Sequence, residues 1–204
     1  LKLSHELVIL NAKIILMELS KEDKLVLLQI ARSSIERVIA GKPDKLPNNL
    51  SPNLLSMCGA FVTLKVKKTL RGCIGYVEAK KSLHQTVREV AVKAAKNDPR
   101  FFPLTQRELD ILHIEISVVS PLQQIASATE IEIGKHGIYI VREQYRGLLL
   151  PQVATEMKWN AEEFLSNTST KAGLKPDTWK DSATTIFIFS AEIFSEHGLI
   201  DTVL

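Results

Sequence analysis

The sequence predicts an α+β fold of two lobes, each a small, mainly antiparallel sheet packed against helices. Three observations predict it. Period-two strands and capped helices follow one another in the order strand, turn, strand, helix, strand. That order occurs twice. Each returning strand opens on an Arg-Gly pair, Arg71-Gly72 and Arg146-Gly147, 75 residues apart, and the closing strands carry Glu115-Ile116 and Glu192-Ile193, 77 residues apart. Two copies at so long a period point to internal duplication of a ββαβ unit rather than to a solenoid. The 204 residues then form a single unit, 1–204, with a large lobe of 1–58 plus 122–204 and a small lobe of 59–121.

The elements follow from local signals. Within residues 1–19, Leu7 to Leu19 is largely apolar but broken by Asn11, Lys13 and Glu18, and a small-residue cleavage site is absent. They read as an added helix on the body or a translated extension, not a signal peptide. Leu1 points to a start other than the natural one. Ser20 is an N-cap followed by Glu22 and Asp23, Leu25, Leu28, Ile35 and Val38 recur at helical spacing, and Gly41 and Pro43 end the helix. Residues 42–54, with three prolines, read as a surface connection. Phe61 to Val66, a Lys67-Lys68-Thr69 turn and the next strand make a hairpin over Ala60 to Val77. Ser82 and Gln85 form a capping-box pattern for a helix over Leu83 to Lys96, and Thr105 and Glu108 one for a short helix. Leu112 to Val118 alternates cleanly. Residues 122–134 admit two readings, a turn capped by Ser127 and Glu130 or a strand through Ile131 and Ile133. Gly137 to Arg142 and Arg146 to Leu150 form a second hairpin, Asn160 and Glu163 cap a helix ending near Gly173, and Thr185 to Phe194 is the last strand.

Composition narrows the function. Hydrophobic residues make up 45% and charged residues 24%, and 26 basic against 23 acidic residues leave a net charge of +3. So small and dispersed an excess disfavours a nucleic-acid surface. No apolar run is long enough to span a membrane. With only Cys58 and Cys73, a disulfide-stapled secreted domain is disfavoured and a cytoplasmic location expected. Five scattered histidines offer no metal-ligand spacing, and no phosphate-cradling glycine loop is present, so no metal or cofactor is assigned.

The chemistry concentrates in Leu70-Arg71-Gly72-Cys73-Ile74-Gly75. On a strand, Arg71, Cys73 and Gly75 share one face. An arginine beside a thiol favours the thiolate, so Cys73 is a candidate nucleophile or redox group; its plain role is a small buried hydrophobe. His136 is the candidate base for it, or a turn histidine bonding the backbone. Arg71 binds a carboxylate or phosphate, or pairs with an acid such as Glu115. Arg100 reaches into a cleft or is held by Asp98. Gly72 and Gly75 permit close approach of a ligand or another backbone, and Gln152 and Lys135 are edge candidates. Because the second copy keeps Arg-Gly but has Leu148 where the first has Cys73, the Arg-Gly element reads as architectural, and Cys73 with Gly75 as the distinguishing pair.

The same stretch resembles the signature of the AMMECR domain family. Further matches follow in order: Asp98-Pro99-Arg100-Phe101, Ile133-Gly134-Lys135-His136-Gly137, Arg146 to Val153, Lys171-Ala172-Gly173-Leu174 and Trp179. The resemblance covers about residues 20–195. It implies a two-lobe α+β fold, a binding or active cleft around the signature, and Memo-like and radical-SAM proteins as partners; it implies no particular activity. Related prokaryotic members often carry a cysteine shortly before Lys-Ala-Gly-Leu, where this chain has Asn167-Thr168-Ser169-Thr170. A two-thiol mechanism is therefore in doubt here. The functional expectation is an enzyme or enzyme component acting on a small anionic ligand in an inter-lobe cleft. The alternative is a non-catalytic binding or adaptor protein using the same cleft, and a nucleic-acid regulator ranks below it.

Overall fold

The computed structural model describes residues 18–43, 47, 49–78 and 80–196, so the expected N-terminal helix falls almost wholly outside the described residues. Helix α1 (Lys21–Ala40) starts as its sequence dictates. The Ser20 hydroxyl accepts from the Asp23 N–H at 3.1 Å while the Asp23 carboxylate accepts from the Ser20 N–H at 3.4 Å, and Gly41 ends the helix at φ 68°. The stretch expected as a plain connection holds a four-residue helix, α2 (Pro52–Leu55), because Ser51-Pro52 supplies an N-cap and a first-turn proline.

The hairpin of β1 (Gly59–Val66) and β2 (Thr69–Tyr76) turns on Lys67 and Lys68 alone, at φ 50° and 67°. Helix α3 (Leu83–Lys96) begins after Ser82, but the Ser82 hydroxyl lies 3.1 Å from His84 Nδ1 and makes no cap bond, so the expected Ser82–Gln85 box does not form. The Thr105–Glu108 box does form, on a 3₁₀ turn leading into β3 (Leu112–Val119). In the ambiguous stretch the Ser127–Glu130 box prevails, after a short β4 (Gln123–Ile125). The second half has β5 (His136–Arg142), β6 (Tyr145–Leu149), α4 (Pro151–Met157), α5 (Ala161–Lys171) and β7 (Thr185–Ser195). Sequence patterning missed α4 because its seven residues begin at a proline directly after a strand.

The fold is α+β: a curled antiparallel sheet packed against helices. Its order is β2-β1-β3-β7-β5-β6, with β4 also on β7. Strand β7 joins the halves. Thr185–Ser190 pair with β5, and Ala191–Ser195 pair with β3. Two apolar cores lie between sheet and helices. The first gathers Leu27, Leu28 and Ile35 of α1, Val87 and Val90 of α3, and Val62, Ile114 and Ile116 of the strands. The second gathers Ile138, Ile140 and Ile188 against Phe164 and Leu165 of α5. The buried side chains of Leu19 to Leu54 belong to the first core, with β1–β3. Each fully buried leucine, isoleucine or phenylalanine contributes roughly 1.5–3 kcal/mol relative to exposure.

Within each half the helix lies directly on the returning strand, and the glycine of the Arg-Gly pair makes that possible. A Cβ on Gly72 would stand 2.2 Å from the Ala94 carbonyl oxygen of α3, and one on Gly147 would stand 2.5 Å from the Thr168 carbonyl oxygen of α5. Neither obstacle is a side chain that can swing away. Gly72→Ala is expected to destabilise by about 2–3 kcal/mol, as overpacking against backbone does. Urea denaturation checks this, and an unchanged midpoint would remove the close approach as the reason for glycine.

Candidate functional site

Strand β2 is an outer strand of the sheet, and its signature residues are organised by that position. Gly72 meets α3, while Cys73 lies opposite Thr63 of β1. The Thr63 hydroxyl donates to Cys73 Sγ at 3.3 Å. The backbone of Cys73 points away from β1, where a further strand would otherwise pair. Its N–H donates to Asp98 Oδ2 at 2.8 Å, and its carbonyl accepts from Arg100 Nη2 at 3.1 Å. Asp98 and Arg100 thus stand in for the missing strand and close an edge open to aggregation. Arg100 also donates to both Asp98 oxygens, at 2.9 and 2.7 Å, and its guanidinium sits over the Phe101 ring at 5.3 Å. The Asp98 side chain is 2% exposed, and the Arg100 guanidinium holds its carboxyl well below the usual carboxylate range despite burial.

Arg71 is equally committed. It donates to Glu108 Oε1 and Oε2 at 2.6 and 3.2 Å and to the carbonyls of Phe102 and Pro103 at 2.7 and 3.2 Å. Its acidic partner is Glu108, whereas Glu115 pairs with Lys65. His136 begins β5 at 5% exposure, accepts the Glu132 N–H on Nδ1 at 3.1 Å, and burial lowers its pKa. Gln152 lies on α4 with its Oε1 buried and unpartnered, and Ser169, near the place of the relatives' cysteine, is fully buried in α5 with its hydroxyl likewise unpartnered. No hydrogen bond joins Cys73 to His136 among the described residues. Cys58, the other thiol, is buried, donates to the Val119 carbonyl and is pushed up to about 11 by desolvation. Among the described residues no cluster of His, Cys, Asp or Glu could hold a metal ion.

Among the described residues a cleft lies at the end of β2, beside β5 and β6. Its volume is about 540 Å3, and Phe61, Gly75 and Tyr76 from one half face Tyr139 and Leu148 from the other. Of the residues singled out in the sequence, Gly75 lines it. A Cβ there would stand 2.1 Å from the Phe61 ring, so glycine makes room for that ring against the strand. The rim carries a linked set that sequence reasoning missed. Tyr76 donates to Glu89 Oε1 at 2.8 Å, Lys81 donates to Glu89 Oε2 at 2.5 Å, and Lys93 donates to the Tyr76 hydroxyl at 2.5 Å while lying 3.0 Å from Glu89. Only the i,i+4 spacing of Glu89 and Lys93 was visible along the chain.

A curled antiparallel sheet with helices outside it and an edge strand closed by an Asp-Pro-Arg loop defines the class of protein. The chain belongs to the AMMECR1 family, whose sequence model matches residues 28–194. A protein of Methanothermobacter thermautotrophicus is 44% identical over 187 residues, covering 88% of this chain and 97% of the relative. Protein NEQ441 of Nanoarchaeum equitans is 41% identical over 177 residues, covering 83% and 98%. The crystal structure of uncharacterized protein PH0010 from Pyrococcus horikoshii superposes with a TM-score of 0.81 at 36% identity, covering 88% of this chain and 94% of that one. Among the described residues no helix is long and apolar enough to cross a membrane.

Glu89 gives the site a measurable signature. Its pKa falls from 4.5 to about 2, chiefly through the Lys81 hydrogen bond, then those of Tyr76 and Lys93. A carboxylate depressed in the folded state contributes stability that is full above its unfolded pKa and lost as pH falls through the folded one. The stability gap between wild type and Glu89→Gln is therefore expected to be constant above about pH 4.5 and to close as pH falls toward about 2. Denaturant melts across pH 2–7 test it, and a gap that persists at the acid end would separate Glu89 from the ammonium groups.

Proposed function

We propose that the protein binds a small anionic molecule in the cleft between β2 and the β5–β6 hairpin, as a non-catalytic binding component. The observation that carries this reading is the composition of the cleft. Apolar and aromatic walls come from both halves, Lys80 and Lys81 line the rim beside Glu78 and Glu89, and Lys93 bonds to Glu89 from just behind it. Three ammonium groups against two carboxylates leave one positive charge over. Apolar walls with a few convergent polar groups are the usual make-up of a small-molecule site.

Binding is favoured over catalysis because the residues a thiol mechanism needs are engaged elsewhere. The Arg71 and Arg100 guanidiniums are bonded to Glu108 and Asp98, and the His136 ring bonds the backbone of its own turn. The enzyme reading keeps one foothold, since Cys73 is only half-buried.

A thermal-shift and calorimetric screen of anionic metabolites tests the binding reading. A saturating ligand at 100 times its Kd contributes about 2.7 kcal/mol, a Tm rise of roughly 5–10 °C for a chain of this size. The expected hits are lost in Tyr139→Ala and Lys81→Ala and kept in Cys73→Ala. Hits lost only in Cys73→Ala would move the site to the signature, and an empty screen would remove it. Alkylation by iodoacetamide at neutral pH, read against Cys73→Ala to isolate this thiol, is expected to run no faster than a free model thiol. A markedly faster rate would return Cys73 to the role of nucleophile.

A further inference from the structure

We infer that the occupant of this cleft is the C-terminal end of an extended peptide. It adds to the open end of β2 through Gly75, lays an apolar side chain against Phe61 and Tyr139, and turns its carboxylate to Lys81. This rests on the binding reading above and names its ligand class.

The register of the outer strand carries the argument. Cys73 stands opposite Thr63, and its N–H and carbonyl point away from β1, where Asp98 and Arg100 take them. Opposed pairs alternate along an antiparallel ladder, so the N–H and carbonyl of Gly75, opposite Phe61, point the same way. The Asp98–Arg100 loop bonds the edge at Cys73 and does not reach Gly75. Among the described residues no loop backbone or side chain bonds the Gly75 N–H or carbonyl. That free donor and acceptor belong to a residue that lines the cleft. The edge is therefore closed as far as Cys73 and open where the cleft begins. A Cβ at Gly75 would strike the Phe61 ring, so glycine keeps the open edge and the aromatic wall side by side.

An open N–H and carbonyl on a strand select a ligand that offers an acceptor and a donor at strand spacing. A main chain does so and a simple carboxylic acid does not. The walls and the rim then select which part of a chain. Phe61, Tyr139 and Leu148 suit one apolar side chain. The ammonium groups of Lys80, Lys81 and Lys93 outnumber the carboxylates of Glu78 and Glu89 by one. Each ammonium has three donors, so Lys81 keeps capacity beyond its 2.5 Å bond to Glu89. A single surplus positive charge matches a terminal carboxylate and disfavours a terminal amine. A volume of about 540 Å3 is that of a site for a compact ligand a few residues long, which favours the end of a chain over its middle.

Isothermal titration with acetyl-alanyl dipeptides ending in phenylalanine, leucine or tyrosine tests the inference. The controls are their C-terminal amides, forms methylated at each amide nitrogen in turn, and 3-phenylpropionate, which has a ring and a carboxylate without the main chain. At least one free acid is expected to bind about tenfold more tightly than its amide and than 3-phenylpropionate. Methylation of one nitrogen and not the other should cost about tenfold, and Tyr139→Leu and Lys81→Ala should each weaken the peptide. Amide hydrogen exchange in wild type gives a readout free of any substitution, with the Gly75 amide expected to exchange more slowly when peptide is bound. If 3-phenylpropionate matches the best peptide and depends on Tyr139, while Gly75 stays unprotected, the peptide assignment falls and the cleft reading stands. Peptide binding indifferent to both variants, with Gly75 unprotected, would overturn both. If no dipeptide binds, the peptide assignment falls and the cleft reading is decided by the metabolite screen.

Discussion

The structure depends on β7 serving two partners at once. Its first six residues pair with β5, and its last five pair with β3. No other described strand belongs to both halves. Eleven residues of one strand must therefore serve both the β5 side and the β3 side of a single sheet, against which two cores pack. The strands twist in the usual sense, so a sheet grown outward to both sides of one strand curls rather than lies flat. The outer strands β2 and β6 are thereby brought round to the same cleft, which Gly75 and Leu148 line from opposite halves. The same end of the chain anchors α1. Arg32 donates to Glu196 at 3.0 and 2.6 Å and to the carbonyls of Leu109 and Leu112, and Lys24 pairs with Glu192.

An outer strand so placed has unpaired backbone groups, and the signature is the device that occupies them. Asp98 accepts and Arg100 donates where a neighbouring strand would, and Arg71 draws the Phe102–Glu108 segment against the same edge. The aspartate is buried and the arginine half-exposed, so the loop carries its charge outward while keeping its bonds inside. This explains why an Asp-Pro-Arg-Phe motif belongs with Arg-Gly-Cys without invoking a reaction. The repeated Arg-Gly pair divides its duties differently. The glycines do the same job in each half, admitting a helix backbone. The arginines do not, for Arg146 bonds the carbonyls of its own turn, at Glu143 and Tyr145.

What was legible in the chain was what short-range chemistry determines. Ser20 with Asp23 and Asn160 with Glu163 mark helix starts because a cap bond spans three residues. The strands announced themselves by alternation, and the fold class followed. Legibility failed where two local options were close in energy or where the partner was distant. Ser82 had a ring nitrogen two residues on as well as a helix N–H, and the ring nitrogen took the hydroxyl. Arg71 had Glu108 and Glu115 within the same segment, and only the packing of the loop chose between them. The cleft was beyond reach in its particulars, since Phe61, Glu89 and Tyr139 come from three elements that the curl of the sheet brings together.

That curl also explains why the rim is built as it is. Tyr76 ends the outer strand, and a strand end with free edges is a mobile place to keep a binding wall. The hydroxyl of Tyr76 is fixed by Glu89 and Lys93, both on α3, and α3 is in turn fixed by the close approach that Gly72 permits. A substitution at Gly72 therefore reaches the rim without touching it, because lifting α3 from β2 also lifts Glu89 from Tyr76. Sheet closure, helix seating and the electrostatics of the cleft are one mechanical linkage, and the glycine of the signature is its pivot.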